Sequence, residues 1–278
     1  MTMPQAAPPM SHAAHKIVSL LEQRTGQQLD AGRAWWIDSA LQPMLRERGL
    51  ASLDELVARI AAGGRCEAGL ADLVVDALLN QETSFFRDSS VLDQLIGAAR
   101  DMAGDTQRRL RVWSAACSTG QEPLSLAMLF AEAQEQGGMA LPEIRATDIS
   151  ARALLRARSG RYTQFEIQRG LSIRRMMRWF ELRDELWEAR PELRLRLLYS
   201  QQNLMSDPMP AGKFDIVLCR NVLMYLSPAA RRAVLERIAG VLRPGGLLVL
   251  GAGETVIGHS DALVPSERYR GMYRLAAH

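Results

Sequence analysis

The sequence predicts a two-part protein, an all-helical N-terminal domain followed by an α/β domain built on a parallel sheet. Three observations lead there. Residues 12–79 carry apolar stripes at helical spacing and no strand-like alternation. Beyond about residue 108, short apolar runs alternate with amphipathic segments, the pattern of parallel strands crossed by helices. The 278 residues suit about two domains. A composition of 47% hydrophobic and 23% charged residues is that of a globular chain, which excludes disordered, collagen-like and repeat-only architectures.

In the helical part, Ile17, Leu20 and Leu21 start one stripe and Ile37, Leu41, Met44 and Leu45 form another. Pro43 is expected to kink or break that second helix. Ser52 with Glu55 has the form of a capping box before Leu56, Val57 and Ile60. A further stripe runs from Leu70 through Leu78. Residues 1–11 begin Pro- and Ala-rich, without a basic segment leading into an apolar core. They read as a disordered leader rather than a secretory signal.

In the α/β part, Arg111–Ala116 reads as a first strand ending in the turn Cys117–Gly120, with a helix around Leu124–Ala133. Glu143–Ala146 is the second strand, ending at Thr147 and Asp148, and Ser150 caps the next helix. Phe214–Cys219 is apolar enough for a sheet interior. Ser227 and Pro228 open a helix that Pro244-Gly245-Gly246 ends, Leu247–Gly251 is another buried strand, and Met272–Leu275 reads as a last edge strand. Between Tyr162 and Asn203 the rhythm is interrupted. Ile173 to Phe180 looks helical, Leu193–Tyr199 alternates like a strand, and an insertion of this kind often carries partner specificity.

Charge and cysteine content narrow the function. The formal charge is +3, from 34 basic and 31 acidic residues, too balanced to indicate a nucleic-acid partner. No apolar run approaches the ~18 residues of a membrane span. The three cysteines Cys66, Cys117 and Cys219 form neither a disulfide framework nor a metal-ligand spacing, so a cytoplasmic location and no metal are expected.

Chemistry concentrates at strand ends. A small-residue turn after the first strand, Ala115 to Pro123, lets a ligand approach the backbone, yet it lacks the glycines and Lys of a phosphate loop and carries Glu122 instead. An acid there suits a cationic group, and Asp148 at the end of the second strand suits ribose hydroxyls. Together they suggest S-adenosyl-L-methionine, although Asp148 read locally also fits a plain helix start. Cys219-Arg220-Asn221 through Tyr225 follows the third strand as a substrate wall, or as a helix cap with a core tyrosine. Thr83 and Arg87 lie one helical turn apart, so both can face one site.

Taken together, Thr83-x-Phe-Phe-Arg87, Trp113 to Pro123, Ala146-Thr-Asp148-Ile and Phe214 to Tyr225 resemble the CheR family in order and spacing over roughly residues 75–255. Phe165 to Leu171 and Asn203-Leu204 also fit. That family comprises S-adenosyl-L-methionine-dependent methyltransferases that esterify glutamates of bacterial chemoreceptors. The resemblance implies a Rossmann-like sheet with a helical N-terminal domain over 12–87, a catalytic domain over 88–278 and an inserted β-subdomain over 168–200. It implies that Thr83 and Arg87 contact the methionine end of the cofactor, Glu122 its ammonium and Asp148 its ribose. Ala115, Asn203, Leu204, Arg220 and Asn221 would line the pocket, and Arg87 and Tyr225 would orient the reacting groups. The expected product is S-adenosyl-L-homocysteine, and the partner a chemoreceptor's cytoplasmic helical bundle met by a monomer, with or without a receptor tether. A cofactor-binding regulatory paralogue, or a methyltransferase of another chemosensory-like pathway, is the alternative.

The chain departs from the family pattern in places. Gln81 stands where some members have Asn, and Gly251-Ala252-Gly253-Glu254 where many read Gly-His-Ser-Glu. Ala40 occupies a position where Arg is common. Up to Arg87 the chain has eight basic against ten acidic residues, which leaves Arg33, Arg46 and Arg48 as the candidates for a basic docking face.

Overall fold

The computed structural model describes residues 10–29, 34–63, 69–105, 108–137 and 139–277. Most of the expected leader, Arg33 and Cys66 lie outside the described residues. The chain divides into two compact units, one of residues 1–80 with 225–230, the other of residues 81–224 with 231–278. The boundary expected after Arg87 therefore falls at Asn80, because Phe85 and Phe86 are buried in the core of the sheet unit. The segment 225–230 is assigned to the helical unit, an exchange that no local pattern announces.

The helical unit contains α1 (His12–Thr25), α2 (Ala34–Glu47), α3 (Leu53–Ala62) and α4 (Leu70–Leu78). Ser11, counted in the expected leader, is instead the cap of α1, its Oγ accepting from the Ala14 amide. The apolar stripes meet as expected: Ile17, Leu21, Ile37, Leu41, Leu56, Val74 and Leu78 form one core. Ala40 packs against this core. Helix α2 runs on through Pro43 to Glu47 rather than breaking. Burial of Leu41 and Leu45 on either side outweighs the one lost backbone bond, a cost of about 3 kcal/mol. Ser52 caps α3 through the Glu55 amide, while the Glu55 carboxylate reaches back to Ala51 N, one residue before the cap, so the box is only half closed. Asp148, Asn203 and the other candidate pocket residues all belong to the second unit; Tyr225 belongs to this one. Its carbonyl accepts from Gln28 N (2.8 Å), and its hydroxyl accepts from Asn80 Nδ2 (2.7 Å).

The sheet unit opens with α5 (Ser89–Asp105), β1 (Arg111–Ala115), α6 (Gln121–Glu135), β2 (Glu143–Asp148) and α7 (Ala151–Ser159). The interrupted region contributes β3 (Arg161–Tyr162), α8 (Gln164–Gln168), α9 (Ile173–Trp179), β4 (Phe180–Arg183), β5 (Leu186–Ala189), α10 (Pro191–Arg194) and β6 (Leu197–Gln201). After it come β7 (Phe214–Cys219), α11 (Pro228–Val241, all but its first turn in this unit), β8 (Leu242–Leu250), β9 (Leu263–Pro265) and β10 (Met272–Leu275).

The main sheet has seven strands in the order β6-β2-β1-β7-β8-β10-β9. Neighbours from β6 to β8 pair in parallel, whereas β10 is antiparallel to both β8 and β9. Strand order reverses between β1 and β7, and in such sheets ligands bind outside the carboxyl ends at that switch point. This is the Rossmann-like architecture expected. Met272–Leu275 is an inner strand, however, because the short β9 covers its outer side.

The interruption forms its own three-stranded antiparallel sheet, β3-β5-β4, so a β-subdomain is present, but it starts at Arg161 and Leu197–Gln201 returns to the main sheet beside β2. Leu193 sits in a helical turn that Pro191 opens at N1; the alternation ran across a helix–strand junction. Phe85 packs edge-on against Tyr162 and Phe180 beneath this small sheet, with ring centroids 5.1 and 5.5 Å away. Gly170 (φ +100°) permits that approach, since a Cβ there would lie 1.9 Å from the Phe85 carbonyl oxygen. Among the described residues, no helix is long and apolar enough to cross a membrane.

The buried Tyr162 hydroxyl donates to the Thr119 carbonyl at 2.8 Å, pinning the turn after β1. Tyr162→Phe leaves that buried carbonyl without its donor, a loss of about 1–3 kcal/mol. Urea unfolding is expected to show a lowered midpoint at unchanged m value.

Candidate active site

At the carboxyl end of β1 the backbone turns through Ala116 (φ +57°) and Ser118 (φ +51°). Asp148, 7% exposed, holds this turn: its Oδ2 accepts from Ser118 N (2.7 Å) and its Oδ1 from Ser150 N (2.9 Å). The carboxylate is thus oriented by amides from two loops. Gln81 lies at the same rim, its Nε2 donating to Ser150 Oγ (2.9 Å) and its carbonyl accepting from Ser118 Oγ (2.8 Å).

The second acid, Glu122, stands in the first turn of α6. Its Oε1 accepts from Ser114 Oγ (2.7 Å) and its Oε2 from Arg220 Nη1 (3.1 Å). Arg220, expected to line the pocket, is buried and paired. Its side chain is 2% exposed and also donates from Nη2 to Asp88 Oδ2 (2.7 Å) and to the Arg87 carbonyl (2.8 Å). It ties three chain segments together at the strand ends. Arg220 Nε is buried without a partner among the described residues, a donor available to a ligand acceptor.

Thr83 and Arg87 are half-buried, and the Arg87 guanidinium makes a long 3.5 Å contact to the Glu82 carbonyl. Ala115 is buried at the last position of β1, beside Thr147 and Cys219 in the sheet register. Asn203 spends its side-chain oxygen on the Met205 amide (2.9 Å), an Asx-type turn that the sequence did not signal; Leu204 beside it is half-buried. Asn221 adopts φ +59°, and its amide donates to Glu254 Oε2 (2.7 Å).

Glu122, Asp148 and Arg220 are thus held at the strand ends by named partners, and Thr83, Arg87, Ala115 and Asn221 belong to the same unit, whereas Tyr225 is described with the helical unit. Sequence reasoning missed Asp88, the partner of Arg220, and Glu254. The signals for Glu254 were its place just past a strand-ending glycine and its match to the last residue of the family's Gly-His-Ser-Glu.

Cys117 and Cys219 are both free and buried. Burial, then the Asp148 and Glu122 carboxylates, pushes the Cys117 thiol well above its ordinary pKa. Burial, then Glu254 and Glu122, does the same for Cys219. His259 is engaged by Arg231, with Nη1 3.0 Å from Nε2.

A parallel sheet with this strand reversal, an acid closing β2 and a tight turn after β1 define an α/β enzyme that binds a nucleoside-containing cofactor. The sequence pattern of the CheR methyltransferase SAM binding domain matches residues 81–270. Chemotaxis protein methyltransferase 1 of Pseudomonas aeruginosa is 40% identical over 243 residues, covering 85% of this chain and 87% of the relative. Chemotaxis protein methyltransferase Cher2 of Pseudomonas putida is 38% identical over 247 residues, covering 87% and 89%. The chemotaxis protein methyltransferase of Vibrio parahaemolyticus is 38% identical over 244 residues, covering 87% and 88%. The chain belongs to the CheR methyltransferase family, and its cofactor is S-adenosyl-L-methionine.

The residues present fit that cofactor in chemical kind: two oriented carboxylates suit a molecule with a cationic group and hydroxyls, and Arg220 Nε is a buried donor without a partner among the described residues. Asp148→Ala is expected to weaken binding of S-adenosyl-L-homocysteine by about 10–100-fold, the scale of hydrogen bonds to a charged group, as read by isothermal titration. Because the thiolate is the reactive form, iodoacetamide at about pH 8 should leave Cys117 and Cys219 unlabelled in the native protein and label both in urea. Peptide mass spectrometry separates the two states.

Proposed function

We propose that this methyltransferase esterifies glutamate side chains in the cytoplasmic helical bundle of chemoreceptors, releasing S-adenosyl-L-homocysteine. The observation that carries this reading is the similarity, over most of both chains, to chemotaxis protein methyltransferases, and the site's oriented carboxylates and guanidinium groups are compatible with it. An amine or hydroxyl acceptor needs help to lose a proton. A glutamate, with an unperturbed pKa of ~4.3, is already ionised at neutral pH and needs none. The names of the relatives, chemotaxis protein methyltransferases matched over most of their length, support a chemoreceptor as the acceptor.

When bound, the cofactor supplies an electrophilic methyl group on a sulfonium sulfur: the carboxylate oxygen forms the new bond to carbon while the carbon–sulfur electron pair leaves with sulfur. The chain's part is to bind, orient and exclude water. In this reading Asp148 holds the ribose hydroxyls, while Glu122, kept in place by Ser114 and Arg220, meets the ammonium. Arg87 and Thr83 take the methionine end, Arg87 by its carboxylate. Ala115, Asn203, Leu204 and Asn221 complete the pocket. Tyr225 orients the incoming carboxylate through its hydroxyl and moves no proton. Orientation of this kind is worth ~7–11 kcal/mol in favourable cases. Attack neutralises an anion and a cation, so a site shielded from water favours the transition state over the separated ions.

Tritiated cofactor with isolated receptor cytoplasmic fragments should give protein-bound label that alkali releases as methanol. Cofactor binding without base-labile label in any receptor would remove the glutamate assignment. Tyr225→Phe should leave S-adenosyl-L-homocysteine affinity near normal and slow transfer by about 10–100-fold, the scale of a lost orienting contact.

A further inference from the structure

Glu254 follows the end of β8, and its carboxylate accepts three backbone amides. Oε2 takes Asn221 N (2.7 Å) and Gly251 N (2.9 Å), and Oε1 takes Met224 N (3.1 Å). Two of these donors lie in the segment after β7, some thirty residues earlier in the chain. Charge-assisted bonds of this kind are roughly twice as strong as neutral ones. The carbonyl side of the same segment is held from elsewhere: Arg231 Nε donates to the Leu223 carbonyl at 3.1 Å.

The arrangement is tight. Gly251 has no room for a side chain, since a Cβ would sit 2.6 Å from Asn221 Nδ2 and 2.9 Å from Glu254 Oε2. Asn221 stands at φ +59°, a conformation that costs a non-glycine residue energy unless its surroundings enforce it. Joining β7 to β8 is not what Glu254 is for. The parallel ladder already pairs those strands up to Cys219 and Leu250. The carboxylate acts one step beyond the ladder, on the loop the ladder cannot reach.

We propose that Glu254 is a positioning residue for methyl transfer: it fixes the backbone of Asn221–Met224, and with it the presentation of Asn221 and the adjoining Tyr225, without touching cofactor or acceptor. The proposal rests on the receptor-glutamate reading for its acceptor, but the clamp itself is read without one. Glu254→Gln keeps the volume and replaces one acceptor oxygen by an amide that faces backbone donors, so at least one of the three bonds is lost.

The test uses the full chain and its Glu254→Gln variant. Four quantities are read: thermal midpoint, S-adenosyl-L-homocysteine affinity, kcat and KM on a receptor fragment, and hydrogen exchange at the Asn221 and Met224 amides. Expected are faster exchange at those two amides and a kcat about 10–100-fold lower, the scale of a small misplacement of reacting groups. KM should hold near wild type, the midpoint should fall only by the few degrees that one lost hydrogen bond costs, and cofactor affinity should fall by less than kcat does. Unchanged exchange overturns the clamp, and unchanged kcat on a fragment that wild type methylates overturns the positioning role. So does a fall in kcat that disappears at saturating cofactor and at a temperature well below the variant's midpoint. Wild type inactive on every receptor fragment defeats the receptor-glutamate reading instead, and amide exchange still decides whether Glu254 holds the loop.

Discussion

A guanidinium with 2% of its side chain exposed has to be compensated inside the protein, and the carboxyl edge of the sheet is arranged around that need at Arg220. Its partners are Asp88, Glu122 and the Arg87 carbonyl, which come from the segment before α5 and the first turn of α6. Removing any one carboxylate leaves a buried charge short of a partner, which costs about 3–5 kcal/mol where such pairs have been broken. The pairing therefore sets where the Thr83–Arg87 segment and α6 meet the end of β7. Glu122 is oriented as a by-product, and so is the backbone that carries Arg87.

The same economy runs through the other acids at this edge. Asp148 is fixed by two amides and Glu254 by three. None of these carboxylates has to be gathered when a ligand arrives. Donors and acceptors held in place beforehand act on developing charge without reorganisation at the moment of reaction. For a transfer between an ionised acceptor and a cationic donor, geometry is what the protein has to contribute, and a rim of pre-oriented carboxylates is a means of supplying it.

Much of this was legible in the sequence because it is local. The strand-turn-helix after Ala115, the acid closing β2 and the cap at Ser150 each depend on a few adjacent residues, and the helical stripes fold into the core they foretell. The features that escaped are set by partners far away in sequence. Arg220 reads as a pocket wall until Asp88 and Glu122 are brought to it across 132 and 98 residues. Glu254 reads as an ordinary turn acid until the Asn221 amide meets it. Period-two alternation over Leu193–Tyr199 spans a helical turn and a strand, which one-dimensional spacing cannot separate. The place of β10 inside the sheet depends on β9, only three residues long and too short to show a period.

Tyr225 shows how far a single side chain can depend on elements distant from it. The chain leaves the sheet unit between Met224 and Tyr225 and returns to it after Ala230. On the sheet side, the Met224 amide is held by Glu254 and the Leu223 carbonyl by Arg231. On the helical side, the Tyr225 carbonyl takes the Gln28 amide, the Ser227 amide donates to the Gly26 carbonyl at 3.0 Å, and the phenol accepts from Asn80. The backbone on either side of this junction is therefore held within its own unit. Within the helical unit Tyr225 is thus held at its carbonyl by Gln28 and at its hydroxyl by Asn80, residues 197 and 145 positions earlier in the chain, so its setting depends on the fold of that whole unit rather than on its neighbours in sequence.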